Sequence, residues 1–422
     1  MKIKVIISFF VPIWVYFCQA PLSAEMYYLN DLINYGVQNS STMIKSLNSL
    51  QDNKDSLTKI YWGILPSVTY SSSYNDFLHS YDAYSSSFSI SKSLAWNEPI
   101  YFDLRYNQYE RQIKDIDYAK EKKNLVINIL FSYIDIIQMQ KNISIVEENY
   151  LLEKRIHEQI VIQYENKNKT IYDVQQSEID TLSTYIRLLE MKQSLVKARE
   201  ELFFNLRLDD QGFPLEVYNF EITNPPDSES LPQYNLDLQN AELNLQMNKL
   251  SLNQQFTNLF PSLSLSFNWS ATSINNRISN TFLQEDNYRE SNTLSLNLSY
   301  SLFSSFQQGI NYRMSKRLYQ INKNDFDLAV KQVNQKIANI DADIKSIKEN
   351  YKLYQRSLEL SKVNLQVAEE RFILGMISKN DLDTTRLKLL SSEYDLNNQF
   401  YTLIKKQEEL NLIKSEKILG LW

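Results

Sequence analysis

Apolar residues return at every seventh position over a long stretch of this chain. From Ile337 the series runs through Ile344, Tyr351, Leu358, Leu365 and Phe372. Ile340, Ile347, Tyr354 and Ala368 fill the positions three further on, with Ser361 the one polar member. An a/d seam held this long predicts a helix packed in coiled-coil fashion. No proline follows Pro261, so nothing interrupts a helix from Phe306 to Phe372. At the helical rise, ~65 residues make a rod of about 100 Å. The run stops at Leu374-Gly375-Met376, and a second seam starts at Leu382 and continues through Leu389, Leu396, Leu403 and Leu410. Together they predict a helical hairpin too long for an ordinary globular core.

The same pattern lies 208 residues earlier. Ile129, Ile136, Ile143, Tyr150 and Tyr164 match the first seam, and Val174, Leu188, Leu195 and Leu202 the second. His157 falls under Leu365 and Thr181 under Leu389. Polar residues share the offset: Asp135 and Asp343, Asn142 and Asn350, Asp173 and Asp381, and Glu200-Glu201-Leu202 with Glu408-Glu409-Leu410. A chance coiled coil keeps a period of seven but does not match polar residues at one offset. The chain therefore reads as one unit of two repeats, about 25–212 and 213–422.

Between the helical patterns the period changes to two. After Pro66, Val68, Tyr70 and Tyr74 alternate with Ser67, Thr69, Ser71 and Ser73; after a polar loop, Phe88, Ile90 and Leu94 alternate with Ser87, Ser89, Ser91 and Ser93. After Pro261, Leu263, Leu265, Phe267 and Trp269 alternate with serine and asparagine, and Leu294, Leu296, Leu298, Tyr300 and Leu302 repeat the pattern. These are two β-hairpins, about 66–95 and 261–303. Pro66 and Pro261 are 195 residues apart, so the second hairpin is longer by about 13, a difference assigned to its loop. Helices are further expected over 27–60, 97–163, 173–208 and 232–259. A linker is expected over 209–230, where Gly212, Pro214, Pro225 and Pro226 fall.

One face of each strand is Leu, Phe, Tyr and Trp, and the other is almost purely Ser and Asn. Each strand has the length a tilted strand needs to cross a bilayer. A soluble β-layer shows the same alternation. The attached rods, the serine face and the N-terminus favour the membrane. Lys2 and Lys4 precede an apolar run from Val5 to Cys18, which with cleavage after Ala24 predicts a signal peptide over 1–24; a membrane anchor is the alternative. Bulky Phe17 argues against a lipid anchor on Cys18, the single cysteine. Open sheet edges cannot face lipid and four strands are too few to close a pore, so several protomers are expected to share one barrel.

Composition narrows the function. The net charge of −6 shows no basic patch for nucleic acid. His79 falls in the first β-hairpin loop and His157 in a heptad seam, where packing explains it better than ligation. Neither metal-ligand spacing, nor phosphate loop, nor nucleophile motif appears, so no enzyme activity, cofactor or metal is expected.

The order helix, proline-started hairpin, long helix, tight turn and return helix, all duplicated, resembles the TolC-like outer membrane efflux protein family. Local features agree: Leu65-Pro66-Ser67, Phe260-Pro261-Ser262, Leu302-Phe303 with Gly309, and above all Ala368-Glu369-Glu370-Arg371-Phe372-Ile373-Leu374-Gly375 followed by Asp381-Leu382. The resemblance implies an α+β membrane protein and a homotrimer. Its 12-stranded β-barrel in outer membrane lipid would continue as a 12-helix α-barrel tunnel in the periplasm, with 209–230 in a belt around the tunnel. The implied function is passage of substrates from an inner-membrane pump through a periplasmic adaptor (membrane fusion) protein to the exterior, in efflux or type I secretion. A periplasmic coiled-coil spacer or adaptor and a secreted adhesin are the rival classes. Adaptors carry Gly- and Val-rich lipoyl-like halves that this chain lacks, and an adhesin has no need of lipid-compatible strands.

The hairpin tips carry the implied function. Asp381 and Asp173 match the family's entrance carboxylates, with Asp383 and Thr384 beside them. Three copies of Asp381 around an axis would favour cations and raise one another's pKa. Thr170-x-x-Asp173 and Ser378-x-x-Asp381 read equally well as helix N-caps. The resemblance assigns adaptor contact to Leu374, Gly375 and Met376, although Gly375 also fits a plain helix-ending residue. The chain departs from the family lock at Phe372, Ile377 and Thr384, and has Asn166-Lys167-Asn168 where a glycine motif belongs in the first tip.

Overall fold

A computed structural model describes residues 26–77, 81–93, 99–216, 218, 220, 235–274 and 288–414. The signal peptide 1–24 with Cys18, and His79, Leu94, Trp96, Pro225, Pro226 and Gly420, lie outside these residues. Each repeat contributes one very long helix. The first, α3 in chain order, spans Pro99–Glu165 with 67 residues, and α6 spans Leu302–Ile373 with 72. They return through α4 (Ile171–Leu206) and α7 (Lys379–Ile413). Pro99 opens α3, where its missing N–H has no helical partner to lose. The boundaries shift by a few residues from those expected because the caps set them: Thr170 starts α4, and Arg207, left-handed at φ 56°, ends it.

The stretch 27–60 is not one helix. It divides into α1 (Leu29–Asn39) and α2 (Ser41–Ile64) at Ser40, whose extended backbone lets its Oγ accept from the Met43 N–H at 3.3 Å. In the second repeat α5 (Leu236–Thr257) stands where α2 stands in the first. Its N-cap, Asn235, lies 195 residues after Ser40, the same offset as the two prolines. Asn235 Oδ1 accepts from the N–H groups of Asp237 and Leu238, while its Nδ2 donates to the Ile413 carbonyl in the last turn of α7 at 2.7 Å. One buried side chain therefore joins the start of α5 to the end of α7. The helix α3 packs on α2, α5, α4 and α7, and α6 packs on α5 and α7. The helices form a layer of rods, two of them continuous.

The joints are wrapped by a belt with its own core. Tyr27 forms a parallel bridge to Leu215 and lies against Phe203 and Phe213, with ring centroids 4.8 and 5.7 Å away. Leu29, Leu32 and Ile33 of α1 pack with Leu130, Tyr133 and Ile134 of α3 and with Phe203 and Leu206 of α4. Each such side chain contributes about 1.5–3 kcal/mol by leaving water. At Gly36 an added Cβ would sit 2.7 Å from the side-chain ends of both Ile129 and Leu206, which would have to shift to admit it. The start of the linker is clamped. The Arg199 guanidinium donates twice to Asp210 at 2.9 Å and once to the Phe213 carbonyl, and the Tyr133 hydroxyl donates to the Glu216 carbonyl.

The strands β1 (Ser67–Phe77), β2 (Tyr81–Ser93), β3 (Ser262–Ile274) and β4 (Tyr288–Ser299) form one antiparallel sheet in that order. Three residues separate β1 from β2 and 13 separate β3 from β4, so the extra length of the second hairpin falls in its connection. The register places Tyr70, Phe88 and Trp269 in one row, and Ile90, Phe267 and Leu294 in the next. On the other face hydroxyls meet across strands, Ser67 with Ser91 at 2.6 Å, Ser71 with Ser87 at 2.6 Å and Ser262 with Ser299 at 2.7 Å. Among the described residues the outermost strands, β1 and β4, each have one edge without a neighbouring strand.

Candidate channel entrance at the helical hairpin tips

The two tips share one backbone. After α3, Lys167 N–H donates to Tyr164 O and Asn168 N–H to Gln163 O; after α6, Gly375 N–H donates to Phe372 O and Met376 N–H to Arg371 O. Lys167 and Gly375 are both left-handed, at φ 61° and 70°. This is the closure that satisfies the last carbonyls of a helix, and it favours glycine. Lysine there works against about 1–2 kcal/mol of backbone strain. No atom lies within 4 Å of a Cβ placed on Gly375, so within the protomer its conformation, not crowding, calls for glycine. The second crown is apolar and open: Ile373 is 82% exposed, Leu374 69% and Met376 71%. The first crown is Asn166-Lys167-Asn168-Lys169, flanked by exposed Ile171 and Tyr172.

Asp173 and Asp381 are the third residues of full capping boxes. Asp173 Oδ2 accepts from the Thr170 N–H and hydroxyl, both at 2.8 Å. Asp381 Oδ2 accepts from the Ser378 hydroxyl at 2.7 Å and the Ser378 N–H at 3.0 Å. The Ser378 hydroxyl and then its N–H hold the Asp381 carboxyl below its usual range; the Thr170 N–H and hydroxyl do the same for Asp173. Within one protomer this is the opposite sign to the mutual elevation expected from a ring of aspartates, because hydrogen bonds to the charged form favour it. Thr384 is exposed and its hydroxyl donates back to the Asn380 carbonyl at 2.8 Å.

Asp383 departs from the expected place at an open entrance. It is only 1% exposed, turned into the layer rather than out of the tip. Lys379 and Arg386, a turn to either side on α7, approach its Oδ1 at 3.3 and 3.6 Å. Arg386 also donates to Glu369 on α6 at 3.0 Å. The polar members of the heptad seams are paired. Ser361 meets Ser392 at 3.0 Å, the His157 Nδ1 meets the Ser177 hydroxyl at 2.8 Å, and Thr181 Oγ1 donates to the Glu153 carbonyl. Beside Asp381, a cleft of about 320 Å³ between α6 and α7 is lined by Asn364, Arg371, Ile377 and Lys388 among others. Sequence reasoning passed over Lys379, Arg386 and Glu153. The available signal was a string of charges at i, i+4 and i+7 beginning at Lys379.

Residues 228–413 match the family model for outer membrane efflux protein. Over these residues the chain is similar to the TolC-like outer membrane efflux proteins. Solved structures share its fold. The transmembrane channel CusC superposes with a TM-score of 0.80 at 15% identity, covering 92% of each chain. The outer membrane channel CmeC of Campylobacter jejuni gives 0.78 at 16% identity over 92% of this chain and 85% of its own. The open MtrE channel of Neisseria gonorrhoeae gives 0.78 at 14% over 93% and 89%. At these identities the likeness is one of fold. A search of curated protein sequences finds no match.

The chain thus shares its fold with outer membrane channels. Among its described residues no helix is long and apolar enough to cross a membrane. Its surface also carries two bare seams. Ile179, Leu182, Ile186, Leu189 and Val196 run along α4 at heptad spacing, and Leu353, Leu360, Val363 and Val367 along α6, all exposed. These helices flank the lower half of the layer, since α3 and α7 lie between them.

Proposed function

We propose that three copies of this chain close one barrel of twelve strands and continue it as a tunnel of twelve helical rods. Cargo would then pass from an inner-membrane pump, through a periplasmic adaptor, to the exterior. The observation that carries this reading is the unfinished protomer. Its sheet has an exposed apolar face and two free edges, and its helical layer has two bare seams at opposite sides. A threefold ring pairs each free β1 edge with a β4 edge and each α4 seam with an α6 seam, which satisfies the backbone in lipid and the heptads in water. The apolar face then meets lipid and the hydroxyl rows line the pore. In this arrangement 1–24 is a removed signal peptide and the repeats 25–212 and 213–422 are halves of one unit. Asp381 and Asp173 ring the entrance, and Leu374, Gly375 and Met376 offer the adaptor an apolar surface. Oligomer mass and negative-stain microscopy of the detergent-purified full-length protein test it. A hollow threefold particle longer than about 100 Å is the expected result. A monomer soluble without detergent would sink the channel reading.

A further inference from the structure

The two helical hairpins keep one register at the 208-residue offset. Ile344 shares a core with Leu403 and Leu410 between α6 and α7, as Ile136 does with Leu195 and Leu202 between α3 and α4. The hairpins also meet each other, where α7 lies on α3, and that contact is polar at its centre. Asn398 Oδ1 accepts from Gln138 Nε2 at 2.7 Å and from Asn142 Nδ2 at 2.8 Å, while Asn397 Nδ2 donates to Asn142 Oδ1 at 2.8 Å. Seven residues on along α7 and seven back along α3, Lys405 pairs with Asp135.

Moved back by 208 residues, the α7 side of this contact becomes the outer flank of α4. Leu390, Asn397 and Ile404, one heptad apart on α7, are 6%, 7% and 3% exposed; their counterparts Leu182, Leu189 and Val196 are 52%, 48% and 54% exposed. Moved forward by the same offset, the α3 side becomes the outer flank of α6. Asp135, Gln138 and Asn142 become Asp343, Ser346 and Asn350, all exposed. Both halves of the contact are therefore present a second time, on opposite sides of one protomer.

We infer that α4 of one copy seats on α6 of the next in the register that α7 keeps on α3, with Lys197 paired to Asp343 of that next copy. The chemistry at the mapped positions is complementary. Lys405 becomes Lys197 and Asp135 becomes Asp343, so the ion pair keeps its type and its sense. Asn398, which accepts from two side chains of α3, becomes Glu190, a carboxylate that only accepts. Opposite it stand the Ser346 hydroxyl and the Asn350 amide, both able to donate. Lys197 is exposed, and Asp343, which meets Lys406 of its own copy at 3.7 Å, keeps a side chain 56% exposed. A contact between two different faces of one chain repeats head to tail and closes into a ring where the rotation allows. Exposed ion pairs stabilise little, so Leu182, Leu189 and Val196 hold the interface while Lys197 and Glu190 fix its register. A slip of one heptad would part them from their partners by about 10 Å. The inference rests on the threefold ring proposed above and adds the residues that set its register.

Zero-length coupling with a water-soluble carbodiimide tests it on the detergent-solubilised full-length protein, since the reagent joins an amine directly to a carboxylate in contact with it. Lys405 and Asp135 provide the control bond within one copy. Because α3 and α7 lie between α4 and α6, an amide between Lys197 and Asp343 joins two copies. The expected result is a trimer by mass, covalent dimers and trimers on a denaturing gel, and the Lys197–Asp343 linked peptide by mass spectrometry. K197D, which sets two carboxylates against each other at all three contacts of the ring, should lower the temperature at which the trimer dissociates. A trimer that carries the control bond while Lys197 couples to no carboxylate, or to Glu349 instead, would overturn this register and leave the ring standing. Unchanged dissociation in K197D would overturn it as well. A monomer by mass with the control bond alone would overturn both readings.

Discussion

Asn235 joins two helices with one side chain, and its removal has a magnitude that follows from its contacts. In Asn235→Ala the N–H groups of Asp237 and Leu238 lose their cap and the Ile413 carbonyl loses its donor. Loss of an N-cap is worth about 1 kcal/mol. An orphaned buried carbonyl adds about 1–3 kcal/mol, since the residue is only 4% exposed and water reaches it poorly. The sum is about 2–4 kcal/mol against local opening, or a fall of roughly 30- to 1,000-fold in amide protection at the start of α5 and the end of α7. Asn235→Ser is the informative control. Serine is the residue at the matching position in the first repeat, Ser40, and it caps α2 without reaching across. It should restore the cap, leaving a deficit of about 1–3 kcal/mol that belongs to the bridge alone. Native-state hydrogen exchange by mass spectrometry reads both segments in one experiment. If Asn235→Ala left protection at the last turn of α7 unchanged, the joint would not be carried by this side chain and the stacking would rest on the surrounding rods.

Three further outcomes are expected. Lys167→Gly relieves the left-handed strain in the first tip while adding unfolded-state freedom, for a net gain of up to about 1 kcal/mol, and Gly375→Ala loses about 1–2 kcal/mol in the second; local exchange of the two turns should move in opposite directions. Arg199→Ala removes a two-pronged contact to Asp210 and should destabilise the belt by about 1.5–3 kcal/mol near neutral pH. Burial pushes the Asp210 carboxyl up, but the Arg199 hydrogen bonds, the Gly212 N–H and the Arg199 charge outweigh it and hold the pKa below its usual range. That stabilisation is present above the unfolded aspartate pKa and is lost as pH falls through the folded one, so thermal melts of the two proteins should converge in acid. Asp381→Ala should reduce cation selectivity in planar bilayers with the trimer intact; unchanged reversal potentials would remove Asp381 from the pore.

Regular patterns made much of the fold readable. The heptads gave the long helices and their direction of return, and the period of two gave all four strands with the faces that the register confirms. The capping boxes at Thr170 and Ser378 were equally plain, because a cap depends on residues three apart. What escaped was decided by residues far apart. That α5 stands on α7 is not a property of either helix, and 178 residues separate Asn235 from Ile413. The division at Ser40 was a missed local signal: Asn-Ser-Ser, without proline or glycine, inside an otherwise continuous helical pattern. The clamp of Arg199 on Asp210 crosses a helix end and a turn and has no period at all.

The repeats explain why Asp383 lay beyond sequence reasoning. Moved back by 208 residues, position 383 becomes Gln175, which is exposed on α4. The backbone is the same in both places, down to the capping box and the left-handed turn. Only the neighbours differ. Near its tip α4 packs on α3 and keeps Ile179, Leu182 and Ile186 exposed, whereas α7 lies between α3 and α6. The 208-residue offset thus places one position at an edge and its counterpart in the interior. The edge position carries a neutral, solvated side chain. The interior copy carries a carboxylate that needs Lys379 and Arg386 to be tolerated, because an isolated buried charge is far more costly than a paired one. A polar residue of that kind at a packed position is a poor choice for stability alone.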